Sequence, residues 1–134
     1  MSIKVSKKEF PLKPENVSVI SGDQENYKIQ IAYNICESNI SPISIPIFDD
    51  HGKIEYKIVD KGYIADIINV IIPKKSKINR NSLINGIIRE TYSESEELSI
   101  LRHHSANPKN YIDEWDNYNN ICENAKKMIS EALA

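Results

Sequence analysis

Tyr111, Trp115, Tyr118, Cys122, Ala125, Ile129 and Ala132 recur at alternating intervals of four and three residues. At 3.6 residues per turn this spacing puts all of them on one stripe, so the end of the chain is expected to be a helix with one side covered. Asn107 followed by Pro108 offers an N-cap and a residue favoured at the first helical position. Asp113, Glu114 and Asp116 near the start, with Lys126 and Lys127 near the end, complement the helix dipole. Two uses of the stripe are open. It can cover the chain's own sheet, or it can meet a helix of another copy, because the three-four repeat runs through three heptads. Small residues at Cys122, Ala125 and Ala132 disfavour a strong coiled coil, whereas Trp and Tyr are the residues that anchor interfaces.

The front of the chain has a different period. Val17 and Val19 precede a polar turn at Ser21–Asn26, and Tyr27, Ile29, Ile31, Tyr33 and Ile35 then alternate with Lys28, Gln30, Ala32 and Asn34. Period-two alternation on both sides of a turn predicts a hairpin with one apolar face. Ile43, Ile45 and Ile47 alternate again with Pro42, Ser44 and Pro46 between them, which points to an edge strand or an extended crossing segment, since proline cannot donate to a ladder. Phe48-Asp-Asp-His-Gly52 has turn composition, and Ile54, Tyr56 and Ile58 resume the alternation. Before all this, Lys4, Lys7, Lys8 and Lys13 with Pro11 and Pro14 predict an extended basic arm or an edge strand over residues 1–16.

Near Asp60 the spacing changes. Ile64, Ile67, Ile68, Ile71 and Ile72 fit a helix ending at Pro73; so dense a β-branched run also fits a buried strand, and helix is the preferred reading. Asn81 or Ser82 is the expected cap of a following helix with Leu83, Ile84, Ile87 and Ile88 inward and Gly86 tolerated. Ser93 with Glu96 matches a capping box ahead of Leu98, Ile100 and Leu101, and Arg102, His103 and His104 suit the carbonyl end. The expected fold is α+β: a small antiparallel sheet of the N-terminal half and helices of the C-terminal half, ending in one long helix. As domains, residues 17–134 form a single unit, strand-rich over 17–59 and helical over 60–134.

A chain of 134 residues is long enough for one domain with a real core. Its net charge of -2 gives little electrostatic support for non-specific nucleic-acid binding. Isoleucine, asparagine and lysine are abundant while Phe and Met number two each, a bias of AT-rich coding. No signal-peptide core and no long apolar run is present, so a soluble protein not exported by a classical signal is expected, with no membrane partner. Cys36 and Cys122 match no metal or redox spacing and are expected to be reduced and buried.

Chemistry-bearing clusters are few. Asp49, Asp50 and His51 share a turn, and with His103 or His104 they carry the right atoms for zinc or manganese and for a metal-dependent hydrolase. Asp-Asp-His-Gly is also what a tight turn requires, and a histidine pair suits a helix C-terminus, so no metal or cofactor is expected. Lys74, Lys75, Lys77 and Arg80 form the one dense basic cluster; without interleaved aromatics it reads as a solvated loop. No phosphate-binding glycine loop and no nucleophile in a known context is present, and enzymatic activity is not expected.

The last third carries a recognisable order of features: a helix ending in Arg89-Glu-Thr-Tyr92, then Ser93-Glu-Ser-Glu-Glu-Leu-Ser-Ile-Leu-Arg102, a short loop, and Glu114-Trp115 with Tyr118 opening a lysine-bearing helix. This order resembles the C-terminal part of small virion-associated proteins of tailed bacteriophages and prophages, accessory proteins of the tail or neck. The resemblance implies a non-enzymatic structural protein that assembles in rings or at a fibre attachment point, with itself and other virion proteins as partners. The interface candidates are then Tyr111, Trp115, Tyr118, Cys122 and Ile129 on the helix, with Lys4, Lys7 and Lys8 on the arm. A cytosolic regulatory or immunity-type protein that neutralises one partner is the alternative.

Overall fold

Two hairpins and three helices build the molecule. In the computed structural model, which describes residues 2–134, the strands are β1 (Ser6–Phe10), β2 (Val17–Gly22), β3 (Asn26–Phe48) and β4 (Ile54–Pro73). The helices are α1 (Arg80–Thr91), α2 (Glu94–Ala106) and α3 (Ile112–Ala132). The strands form one antiparallel sheet in the order β1-β4-β3-β2, so the fold is α+β with the sheet first and the long helix last. No helix among the described residues is long and apolar enough to cross a membrane.

The β2–β3 hairpin closes where the Asp23 carboxylate accepts the backbone N–H groups of Glu25 and Asn26, at 2.8 and 2.7 Å. Those two bonds hold its pKa below the usual carboxylate value. On β3, Ile29, Ile31 and Tyr33 face the helices; on β4, Ile68, Val70 and Ile72 do so, with Ile29 opposite Val70 and Ile31 opposite Ile68. Leu83, Ile84, Ile87 and Ile88 of α1 and Ala125, Ile129 and Ala132 of α3 cover that face. Each fully buried isoleucine in this layer contributes roughly 1.5–3 kcal/mol. A smaller cluster of Tyr92, Ile100 and Ile121, with Trp115 and Tyr118 against it, joins α2 to α3.

The expected helix over Ile64–Ile72 is part of β4 instead, and the helical half begins at Arg80 rather than at residue 60. The cause is apolar side chains on both faces, buried under the helices on one and, at Ala65 and Ile67, buried on the other as well, while Ile71 stays exposed. Ile68, Val70 and Ile72 point to the helices, while Ala65 and Ile67 point the other way and pack with Ala32. With both faces apolar the period-two signal disappears, and the remaining spacing imitates a helix. β-branched side chains then settle into the strand they prefer. Similarly, Ile43–Ile47 is not a separate crossing segment but the outer part of one long β3, which continues through register shifts between Tyr33 and Cys36 and between Asn39 and Ile43. Residues 6–10 of the basic arm form an edge strand.

Two helix starts also differ from expectation. Asn79, not Asn81 or Ser82, caps α1; its Oδ1 accepts the Ser82 N–H while the Ser82 Oγ accepts the Asn79 N–H, both at 2.9 Å. Ser82 is thus the third-residue member of the box. Asn107 closes α2 rather than opening α3: its N–H donates to the His103 carbonyl, and the turn over residues 107–110 reverses the chain. α3 begins at Ile112 with Tyr111 at the cap position and no side-chain cap bond. The Ser93–Glu96 box stands as expected.

Candidate functional site

β3 and β4 run on together past the rest of the sheet. Over Ile43–Phe48 and Ile54–Val59 they pair only with each other, as a two-stranded ribbon closed by the loop of residues 49–53. In that loop Asp49 Oδ1 accepts the N–H groups of His51 and Lys53 at 2.9 and 2.8 Å, and Gly52 takes a left-handed φ of 75°. The ribbon springs from a braced base. Asn34 adopts a φ of 51° at the first register shift, and its Nδ2 donates to Asp66 at 3.0 Å. At the second shift the Ser41 N–H and Oγ–H both donate to the Glu9 carboxylate of β1, at 2.7 and 3.1 Å. A Cβ on Gly62 would stand 2.2 Å from the Phe10 carbonyl oxygen, so only glycine lets β1 lie this close.

Register decides what the ribbon presents. Ile43 pairs with Val59, Ile45 with Lys57 and Ile47 with Glu55, all on one face. Ser44 pairs with Ile58, Pro46 with Tyr56 and Phe48 with Ile54 on the other. The apolar sets of the two strands therefore lie on opposite faces. An ordinary half-buried hairpin puts both sets on one face, and shifting one strand by a single residue would do so here. Both faces are open: Phe48 is 67% exposed, Tyr56 and Ile58 71% each, and Ile47, Ile54 and Ile43 between 38 and 48%. At about 150–250 Å² per aromatic side chain, Phe48 and Tyr56 alone present roughly 200–350 Å². An exposed apolar area of this extent is comparable to the largest patch on an ordinary monomer, which is often functional.

The helical stripe has a different job. Trp115 stacks on His104 with ring centroids 3.7 Å apart, and Tyr111 stacks on His103 at 4.0 Å. Tyr118 meets Tyr92 edge to face at 5.5 Å, and its hydroxyl donates to Glu97 at 2.6 Å. Burial first, then that bond to a carboxylate, pushes the Tyr118 pKa well up. His103 Nδ1 lies 2.9 Å from Glu114, closing a ladder of α2–α3 contacts. The aromatic interface candidates are thus occupied within the chain, although Tyr111 keeps 37% of its surface. Ile129, fully buried under the sheet, is core and not interface. Cys122 is half-buried, and desolvation raises its thiol pKa. Cys36 is exposed beside the first bulge, not buried; both thiols are free.

Lys7 and Lys8 are exposed on the edge strand β1 and Lys4 is exposed in the segment before it, and the Lys8 Nζ lies 5.3 Å from the Phe10 ring centroid. Lysines on an edge strand discourage strand addition, a sufficient reason for them without a ligand. Asp49, Asp50 and His51 lie at the ribbon tip, and His103 and His104 in the last turn of α2. Among the described residues, no three His, Cys, Asp or Glu side chains gather as metal ligands would. Comparison with family models, with curated proteins and with solved structures finds no match for this chain.

The ribbon itself was present in the sequence as two alternating runs around Asp49–Gly52. What the sequence reading missed was the parity across the turn, which could have been tried by pairing Phe48 with Ile54 and reading outward.

Proposed function

We propose that this chain is a non-enzymatic assembly protein of a bacteriophage or phage-like particle, a tail, neck or capsid-associated component that acts through protein–protein contacts. The observation that carries the reading is the ribbon. A two-stranded arm with isoleucines exposed on both faces, and Phe48 and Tyr56 on one of them, gains nothing from projecting into water and gains much when a partner covers it. Its base is fixed by Glu9, Ser41 and Gly62, so little ordering entropy is lost on docking. The outer edge of β3 carries Pro42 and Pro46, and proline offers no N–H to an incoming strand. Strand addition at the β3 edge is thereby disfavoured, and the exposed faces of the ribbon are the surface offered to a partner. The order of features in the last third, which resembles that of virion accessory proteins, supplies the class of assembly.

The test is the protein content of gradient-purified particles made by the source of this chain. The wild type is expected in the particles at constant stoichiometry, and a Phe48→Asp/Tyr56→Asp variant, native by circular dichroism, is expected to be missing from them. A chain absent from particles that forms instead a tight one-to-one complex with a single soluble protein would overturn the particle reading in favour of the neutralising binder. Unimpaired incorporation of the double variant would remove the ribbon from the argument.

A further inference from the structure

The register of the ribbon is set by its two ends and by nothing between them. Over Ile43–Phe48 and Ile54–Val59 no residue is buried, so no core contact opposes a shift of one strand along the other. A two-stranded ribbon without cover is also only marginally stable in any one pairing. At its base Asn39 pairs with Lys61 and Ile43 with Val59, so Ile40, Ser41 and Pro42 of β3 stand against Asp60 alone. An ordinary bulge sets two residues against one, and β3 therefore carries one residue more than a bulge needs. Glu9 of β1 holds the middle of that surplus through the two hydrogen bonds from Ser41. At the tip, the Asp49 N–H donates to the Lys53 carbonyl and the Gly52 N–H to the Asp49 carbonyl, at 3.0 and 3.1 Å.

We propose that the ribbon has a second register, in which β3 beyond Ile40 slips one residue toward the tip, and that Glu9 is the latch that holds the first. After the slip Ile43 pairs with Ile58, Ile45 with Tyr56 and Ile47 with Ile54, while Ile40, Ser41 and Pro42 span Asp60 and Val59 as an ordinary bulge. The Asp49–Gly52 turn keeps its own hydrogen bond, and only Lys53 leaves the loop to stand opposite Phe48. What is given up is the Asp49–Lys53 bond and the hold of Glu9 on Ser41, so the latched register is the ground state. A slip the other way is worse at both ends: it enlarges the surplus and sets Asp60 opposite Ile43 and Asp49 opposite Ile54. The two registers display different surfaces, because a one-residue slip turns every β3 side chain to the other face. Ile54, Tyr56 and Ile58 share a face with Ser44, Pro46 and Phe48 in the first and with Ile43, Ile45 and Ile47 in the second. One ribbon thereby offers two apolar faces of different make-up, and the release of Ser41 from Glu9 chooses between them.

Paired cysteines in a Cys36→Ser background of the full chain read the register. Ser44→Cys with Ile58→Cys bridges the latched register, and Ser44→Cys with Lys57→Cys bridges the slipped one. Ser44→Cys with Val59→Cys is the control, because residues 57 and 59 flank residue 58 equally and both point away from Ser44 before the slip. The three chains, native by circular dichroism, are oxidised in a glutathione buffer, and bridge formation within the monomer is followed by mass. The 44–57 pair is expected to close at about 0.1–10% of the rate of the 44–58 pair, the population range of a minor conformer, and the 44–59 pair is expected not to close. Glu9→Ala, which removes both bonds to Ser41, is expected to raise the 44–57 rate about ten-fold and to leave the 44–58 rate nearly unchanged. Equal closure of the 44–57 and 44–59 pairs would reveal local flexing and overturn the second register, as would a 44–57 pair that never closes. A 44–57 rate that Glu9→Ala does not change would overturn Glu9 as the latch.

Discussion

Gly62→Ala is the sharpest probe of how the ribbon is held. Gly62 has no left-handed φ to protect, because Gly52 is the one glycine with a positive φ among the described residues. On backbone grounds alanine would even help, by about 0.4–1 kcal/mol through a less flexible unfolded chain. Steric approach opposes it. The new Cβ would lie 2.2 Å from the Phe10 carbonyl oxygen and 3.0 Å from Ile40 Cδ1, so β1 must retreat by about 1 Å to reach ordinary contact. A backbone carbonyl in a ladder cannot swing aside as a side chain does. Retreat stretches the Tyr63–Phe10 end of the β1–β4 ladder and the Glu9–Ser41 bonds, roughly two to four hydrogen bonds at about 0.5–1.5 kcal/mol each. The clash outweighs the entropic gain, for a net loss of about 2–4 kcal/mol. Urea denaturation should show that loss at unchanged slope, and thermal unfolding a fall of roughly 3–5 °C per kcal/mol. Hydrogen exchange should find the amides of residues 6–10 and Ser41 deprotected before those of Ile29–Ile31. A variant within about 0.5 kcal/mol of wild type, with β1 amides still protected, would refute the close approach as the lock.

Two further outcomes separate the helical stripe from the ribbon. Trp115→Ala removes the stack on His104 and the neighbour of Tyr118, and is expected to cost about 1.5–3 kcal/mol in chemical denaturation while leaving the solution mass at every concentration unchanged. A change in association state without loss of stability would return Trp115 to an interface. Burial holds Tyr33, Tyr92 and Tyr118 above the ordinary phenol pKa, so the unfolded chain loses these protons first. Stability from the three groups is therefore independent of pH below about 10 and falls as pH rises beyond it toward their folded values. Tyrosine absorbance followed against pH should show a late group of phenols that moves to the ordinary range in denaturant, and Tyr118→Phe should shrink it.

Local chemistry in the chain is enough to place most elements, because it acts over a few residues. The polar turn at Ser21–Asn26, the Asp49–Gly52 turn, the Ser93–Glu96 box and the inward set Leu83, Ile84, Ile87 and Ile88 are all readable without knowing what lies across from them. So is the long striped helix, and with it the α+β order of the fold. The reading failed where a residue's state depends on a distant neighbour. Ile64–Ile72 became strand because α1 covers one face of β4 while Ala32 and Phe10 meet the other, and neither cover is visible in the run itself. Asn107 became a C-cap because the histidines before it stack on Tyr111 and Trp115 after it, which carries α2 through to Ala106. The ribbon shows the division most clearly. Alternation in Ile43–Ile47 and Ile54–Ile58 belongs to the sequence, since side chains of a strand must point to alternate sides. Whether those two apolar sets share a face is a matter of register across the 49–53 loop, and whether anything covers them depends on how far the rest of the sheet extends. Both are properties of the folded molecule, and together they turn an ordinary hairpin into an exposed arm.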